Sequence, residues 1–217
     1  MFHNVKYAKL NAYADDHQIY SSTLDPLALE ECICQEVNVA DQWYKNNGMI
    51  LNEKKHQALI LGKTEHNFSL PVTNSIDIFG TTIDRGLSFD NNVSVICKKI
   101  NNQFNVMLRF RKLINKEKLL ELCKACILPH FYHCSVWHFC GAGNADKVDN
   151  LNKRIPRFIL QDYNSQYDIL LRKVNMKYLF IKRLQNVMNT LYESVFYELS
   201  RLFKRYVHRT VFIIQFA

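Results

Sequence analysis

The 217-residue chain predicts an α+β fold: a small mixed layer of strands and one helix, then a section that is all helical. Three observations predict it. Up to about residue 90, short β-favouring runs alternate with turn residues and one helical stretch, and after Phe89 the apolar period becomes that of a long helix. The charge changes sign at the same place. Residues 1–92 carry seven Lys/Arg against twelve Asp/Glu, a net of −5, whereas residues 93–217 carry twenty-one against eight, a net of +13. Finally, 48% hydrophobic content supplies a packed core, and six Gly with four Pro exclude a low-complexity chain. The basic section suits a polyanion, of which nucleic acid is the commonest; the alternative is a set of ordinary solvated helix faces.

Each element has its own signal. In "VKYAKLNAYADDHQIYSS", Val5, Tyr7, Leu10, Tyr13, Ile19 and Tyr20 predict two short strands around an Ala-Asp-Asp bend. A helix follows, capped by Thr23 or Asp25, with Pro26 in its first turn. Leu27, Glu30, Glu31, Cys34, Val37, Ala40, Asp41 and Tyr44 recur at helical spacing, and Gly48 stands near the C-cap. "QALILG" predicts a buried strand, and "SIDIFGTTID" another that ends at "DRG". Val93, Ile96, Ile100, Phe104, Met107 and Leu108 form one stripe of a long helix, with Lys98, Lys99, Arg109, Arg111 and Lys112 around it. Asn115 caps a second helix through Leu119, Leu122, Cys123 and Cys126 to Pro129. "HFYHCSVWHFCG" predicts an aromatic corner or helix. Asn144 caps a third helix that Pro156 should kink or end, and from Tyr167 onward the chain is expected to be helical.

Asp15 and Asp16 stand side by side at the hairpin tip, where Asp suits a tight turn. That explains one acid but not two like charges. A divalent cation held between them and a third carboxylate would relieve the repulsion. Mg²⁺ takes one or two protein carboxylates plus substrate phosphates, and a pair of such ions serves phosphoryl transfer.

With these residues in place, "YADD" resembles motif C of reverse transcriptases, and the chain is similar to the non-LTR retrotransposon branch. "WYKNNGMILNEKKHQALILG" resembles motif D, "IFGTTIDRGLSFDNNV" the primer-grip hairpin, and "ILPHFYHCSVWHFCG" the aromatic thumb segment, in family order over residues 5–185. The resemblance implies a partial palm over 1–90, a helical thumb over 91–160 and a basic helical connector or tail over 161–217. It implies an RNA-directed DNA polymerase whose partners are an RNA template, a DNA primer and deoxynucleoside triphosphates, with Mg²⁺ as cofactor. Asp15 would be the main metal ligand and Asp16 the lesser one. Tyr13 and Ala14 would pack beside the primer terminus, where Phe79 and Gly80 begin the primer grip. Lys55, with Lys54 as rival, would stand near the pyrophosphate as general acid. Lys98, Lys99, Arg109 and Arg111 would line the thumb's grip on a duplex. The other reading of both lysines is a solvated charge, and that of Phe79 a plain core aromatic.

His17, His56 and Pro156 depart from the family pattern. Motif A, motif B and the fingers all precede motif C, and the chain begins about a dozen residues before it. Catalysis by this chain alone is therefore not expected. A non-catalytic nucleic-acid-binding remnant is the alternative function. A zinc module is a third, because Cys123, Cys126, His130, His133, Cys134, His138 and Cys140 crowd one segment. Bulky apolar residues fill the gaps between these ligands, so packing is the favoured reading, with Cys123 and Cys126 as small hydrophobes on one stripe. The N-terminus lacks the apolar core of a signal sequence, and "VFIIQFA" is too short to span a bilayer. Seven irregularly spaced Cys then suit reduced thiols in an intracellular protein, cytoplasmic or nuclear.

Overall fold

A computed structural model describes residues 6–13, 16–50, 56–62, 64–132, 136–196 and 210–216. The chain divides into two compact units, one of Met1–Leu87 with Leu199–Ala217 and one of Ser88–Glu198. The architecture is mixed α+β with two antiparallel sheets.

In the first unit, β1 (Lys9–Tyr13) and β2 (Asp16–Thr23) form an antiparallel hairpin in which Tyr13 pairs with Asp16. Helix α1 (Pro26–Asn46) starts where Asp25 Oδ1 accepts from the Leu27 N–H at 3.0 Å, with Pro26 as the first helical residue. It stops at Asn47, and Gly48 takes the positive φ of +67° that such an exit favours. Strand β3 (Gln57–Leu61) buries Ala58, Leu59 and Ile60 in succession. Leu29, Ile33 and Ala40 of α1 pack with Ile19, Ala58 and Ile60 into one apolar cluster.

The sheet order is β1-β2-β6-β3, and the strand between β2 and β3 is β6 (Thr210–Phe216). It is antiparallel to both neighbours, so β2 and β3 run parallel, one strand apart, with α1 as their crossover. The helical tail expected over 161–217 is thus corrected at its end. "TVFIIQF" is rich in β-branched and aromatic residues, and β2 and β3 each present a backbone edge that needs a partner. "SIDIFGTTID" is also not one strand. It is a second hairpin, β4 (Ser75–Ile78) and β5 (Thr81–Asp84), turning at Phe79-Gly80.

The second unit is helical. Helix α2 (Asp90–Phe110) buries Val93, Ile100, Phe104 and Met107. Its Phe104 ring meets Phe158 edge-on at 5.6 Å, from α5 (Ala142–Leu160). Pro156 does not end α5. It is buried with Ile155, Phe158 and Ile159, and that packing offsets one missing backbone hydrogen bond. Nor does Asn144 cap this helix, which begins one turn earlier in sequence, after Gly141. The Asn144 amide donates to Asp90 Oδ1 (2.6 Å) and the Ser88 carbonyl (3.3 Å), tying α5 to the start of α2.

Asn115 does cap α3 (Lys116–Leu122), accepting from the Lys118 N–H at 2.9 Å. A π-helical turn (Cys123–Ile127) then leads into α4 (Leu128–Tyr132). Pro129 has no N–H to give to the preceding turn, and a wider turn before it accommodates that loss. Helices α6 (Tyr167–Lys173) and α7 (Leu179–Phe196) complete the unit. Among the described residues, no helix is long and apolar enough to cross a membrane.

Candidate nucleic-acid interface

The hairpin tip is built from β1 and β2, and the register leaves Ala14 and Asp15 as the connection. Both lie outside the described residues, as do Lys54 and Lys55. Asp16 is half-buried at the start of β2. Behind it, His17 Nδ1 shares a hydrogen bond with the Tyr44 hydroxyl near the end of α1. Burial, with Asp41 adding to it, raises the Tyr44 pKa, so the phenol stays protonated. Sequence pattern does not reveal this contact, although Tyr44 at the end of the α1 stripe and His17 in place of a small polar residue are both visible in it.

A second anchor is Glu36. It is buried in α1, and its Oε1 accepts from the backbone N–H groups of Lys6 (3.0 Å) and Tyr7 (2.6 Å). The segment entering β1 is therefore fixed to the helix. Helical periodicity marks neighbouring positions but gives no signal that a buried carboxylate faces the sheet.

Tyr13 and Phe79, both expected at the primer terminus, come together. Their rings meet edge-on with centroids 5.1 Å apart, and both remain more than half exposed. Phe79 sits at φ +49° and Gly80 at φ +75°, the pattern of a type I′ hairpin turn. Gly80 has open space around it and adopts this conformation freely. For Phe79 the left-handed region costs of order 1–3 kcal/mol. A plain core aromatic would be buried, and Phe79 is not.

The metal question rests on few donors. Asp16, with Asp15 beside it in sequence, offers hard oxygen atoms of the kind Mg²⁺ takes. Strand β6, which lies next to β2, contains no Asp or Glu. Among the described residues no group of three His, Cys, Asp or Glu could hold a metal ion.

Among the described residues, the Cys and His side chains of the 123–140 segment form no group that could hold a metal ion. Cys123 is buried, with its Sγ 3.8 Å from Met107 Sδ, and burial pushes its thiol up to about 12. Cys126 is exposed, contrary to its expected place on the same stripe. The π turn takes more residues per revolution, so a three-residue step no longer stays on one face. His130 meets Gln103 Nε2 at 3.0 Å, while His133 and Cys134 lie outside the described residues. His138 is buried between Phe139 and Phe180, its pKa lowered by burial and by Arg183.

On α2, Lys98 and Arg109 are three helical turns apart and share the solvent face; Lys99 is exposed about 100° further round. Arg111 differs. Its guanidinium lies 5.7 Å from the Phe158 ring centre and donates to the Tyr163 hydroxyl at 3.3 Å.

Searches of protein-family models, curated proteins and solved structures find nothing that matches the chain.

Proposed function

We propose that the chain carries the rear of the palm and the thumb of a reverse transcriptase of the non-LTR retrotransposon type, serving RNA-templated DNA synthesis. The observation that carries this reading is the Tyr13–Phe79 contact. Two sequence segments that resemble separate primer-contacting motifs converge on one exposed aromatic pair, beside a hairpin tip bearing Asp15 and Asp16. Exposed rings of this kind suit the sugar and base at a primer end. Mg²⁺, when bound, would neutralise phosphate charge beside Asp15 and Asp16. Tyr13 and Phe79 would orient the primer, and His17 with Tyr44 would hold the strand that begins at Asp16. The basic face of α2 would grip the duplex backbone without reading sequence.

The reading does not assign turnover to this chain alone. A non-catalytic nucleic-acid-binding remnant is the second reading, since the exposed Lys98, Lys99 and Arg109 of α2 would serve it without the tip carboxylates.

Photo-crosslinking tests the proposal. An RNA template annealed to a DNA primer ending in 4-thiothymidine should give adducts at Tyr13 or Phe79, identified by mass spectrometry. Tyr13→Ala with Phe79→Ala should remove them. Adducts confined to the lysines of the helical unit would overturn the assignment.

A further inference from the structure

We propose that a cavity between α4 and the α6–α7 connection is an anion site that takes a phosphate group of single-stranded nucleic acid. The cavity measures about 350 Å³, within the range of pockets that hold small molecules. Lys124 reaches it from the π turn, Lys177 from the connection before α7, and Lys182 from α7 itself. Leu128, Tyr132, Asn175 and Met176 complete the wall, and among the described residues no carboxylate lines it.

The charges make the case. Three other lysines of this unit pair with acids, Lys118–Glu121 (2.9 Å), Lys153–Asp149 (2.9 Å) and Lys173–Asp162 (3.6 Å), while among the described residues Lys98 and Lys99 on α2 do not. Among the described residues the three lysines of the cavity make no such pair, and Lys182 instead lies against the Tyr132 ring, 5.8 Å from its centre. Three ammonium groups around one concavity repel one another and focus positive potential into it. An anion relieves both effects, and ammonium groups are effective point-charge binders of phosphate. The Asn175 carboxamide offers further donors. Its backbone is held at φ +50°, with the next N–H, from Met176, bonded to the Leu171 carbonyl at 2.9 Å.

The apolar part of the wall selects the ligand. Leu128, Met176 and the half-buried Tyr132 ring suit a sugar or base attached to the phosphate better than a free ion. A single strand can feed one nucleotide into a concavity, whereas a duplex presents its phosphates on a convex cylinder. The cavity is distinct from the solvent face of α2, so the two sites predict different ligand preferences.

The test uses the full chain and a fluorescein-labelled oligothymidylate, followed by anisotropy over a range of salt. Replacing Lys124, Lys177 and Lys182 together by Ala should weaken binding about tenfold or more. The salt slope should flatten by about 0.7 for each phosphate that the variant no longer neutralises. Binding of an RNA–DNA duplex should change little, and the triple Arg variant should retain oligonucleotide binding. Should the Ala variant lose its circular dichroism signal, the triple Gln variant, which keeps the stems, serves in its place. Unchanged oligonucleotide affinity in the folded variant would overturn the proposal. So would competition by phosphatidylserine vesicles or inorganic phosphate as strong as that by unlabelled oligonucleotide. The outcome is independent of primer crosslinking at Tyr13 and Phe79, so this site and the polymerase reading can fail separately.

Discussion

The two units differ in where their cations lie, although both use acids as backbone acceptors, Asp162 of the helical unit taking the Asn164 and Ser165 N–H groups. In the sheet-bearing unit, acidic side chains serve as acceptors for backbone and side-chain donors. Glu36 holds the N–H groups of Lys6 and Tyr7, Asp25 holds that of Leu27, and Glu30 takes the Ser69 N–H, the Ser69 hydroxyl and His66. In the helical unit, cations lie over aromatic faces. Arg183 stands 4.5 Å from the centre of Trp137, Arg154 4.9 Å from Phe104, and Arg111 5.7 Å from Phe158. The charges of −5 for residues 1–92 and +13 for residues 93–217 do not follow the boundaries of the two units, and they overstate what is free to meet a partner. Some charge belongs to the fold. Lys98, Lys99, Arg109, Lys124 and Lys177 have no such contact among the described residues, whereas Lys182 shares its ammonium between the cavity and the Tyr132 ring.

The largest effect should come from the aromatic side of this contrast. Trp137 is almost fully buried, and Trp137→Ala removes both its packing and the ring beneath Arg183. A loss of about 3–5 kcal/mol is expected for such a truncation. Urea denaturation measures it; a loss below about 1 kcal/mol would mean that neither the ring nor its cation carries the unit.

The acidic counterpart should cost less. Glu36→Ala leaves two part-buried N–H groups without their acceptor, for an expected loss of about 1–3 kcal/mol. Glu36→Gln keeps an oxygen in place and should lose less. The amides of Lys6 and Tyr7 should exchange faster with solvent in the Ala variant, and unchanged exchange would dissociate Glu36 from the entry to β1.

Much of this layout is legible in the sequence, and its gaps have physical causes. The hairpin, α1, β3 and α2 are readable because each has a local signal: β-favouring or continuous apolar runs in the strands, helical spacing in α1 and α2, and a cap at α1. Strand β6 is not, since its pairing is settled by distant partners rather than by local pattern. The second hairpin is given by the motif likeness but not by the residue pattern, because Phe stands where Asn or Gly normally marks a type I′ turn. The exposure of Cys126 is hidden because a π turn leaves no trace in an α-helical count. At the candidate site, motif likeness points to Tyr13, Phe79 and Asp16, and the structure brings the two rings into contact. The likeness does not point to Glu36, Tyr44 or the cavity lysines, since their meaning depends on which faces converge.

A smaller effect sharpens the division among the four basic residues of α2. Replacing Lys98, Lys99 and Arg109 by Ala should reduce the salt dependence of RNA–DNA duplex binding by about 0.9 in slope for each phosphate no longer neutralised. Arg111→Ala should leave that slope nearly unchanged and instead lower stability slightly, because its guanidinium is committed to Phe158 and Tyr163. Equal slopes for the two variants would place Arg111 back among the residues that meet phosphate.

The smallest effect concerns Glu30, which fastens the 64–69 segment to α1. Its Oε1 accepts from the Ser69 N–H and hydroxyl, each at 2.5 Å, and its Oε2 lies 2.7 Å from His66 Nε2. The hydrogen bond from the Ser69 side chain, then that from His66, lowers the Glu30 pKa from 4.5 to about 2. Because the folded value is the lower one, the contribution to stability is complete above pH 4.5. It fades as the pH falls from there and is lost through about pH 2. The carboxyl is near the surface, so solvent and salt screen it, and the expected change in global stability is slight. Local reporters should still see it. The Ser69 amide resonance should follow a single titration near pH 2, and Ser69→Ala should raise that midpoint more than His66→Ala does. A midpoint near 4.5 in the unaltered chain would show that Glu30 is an ordinary surface acid. The contrast between backbone-holding acids and ring-covering cations would then rest on Glu36 and Asp25.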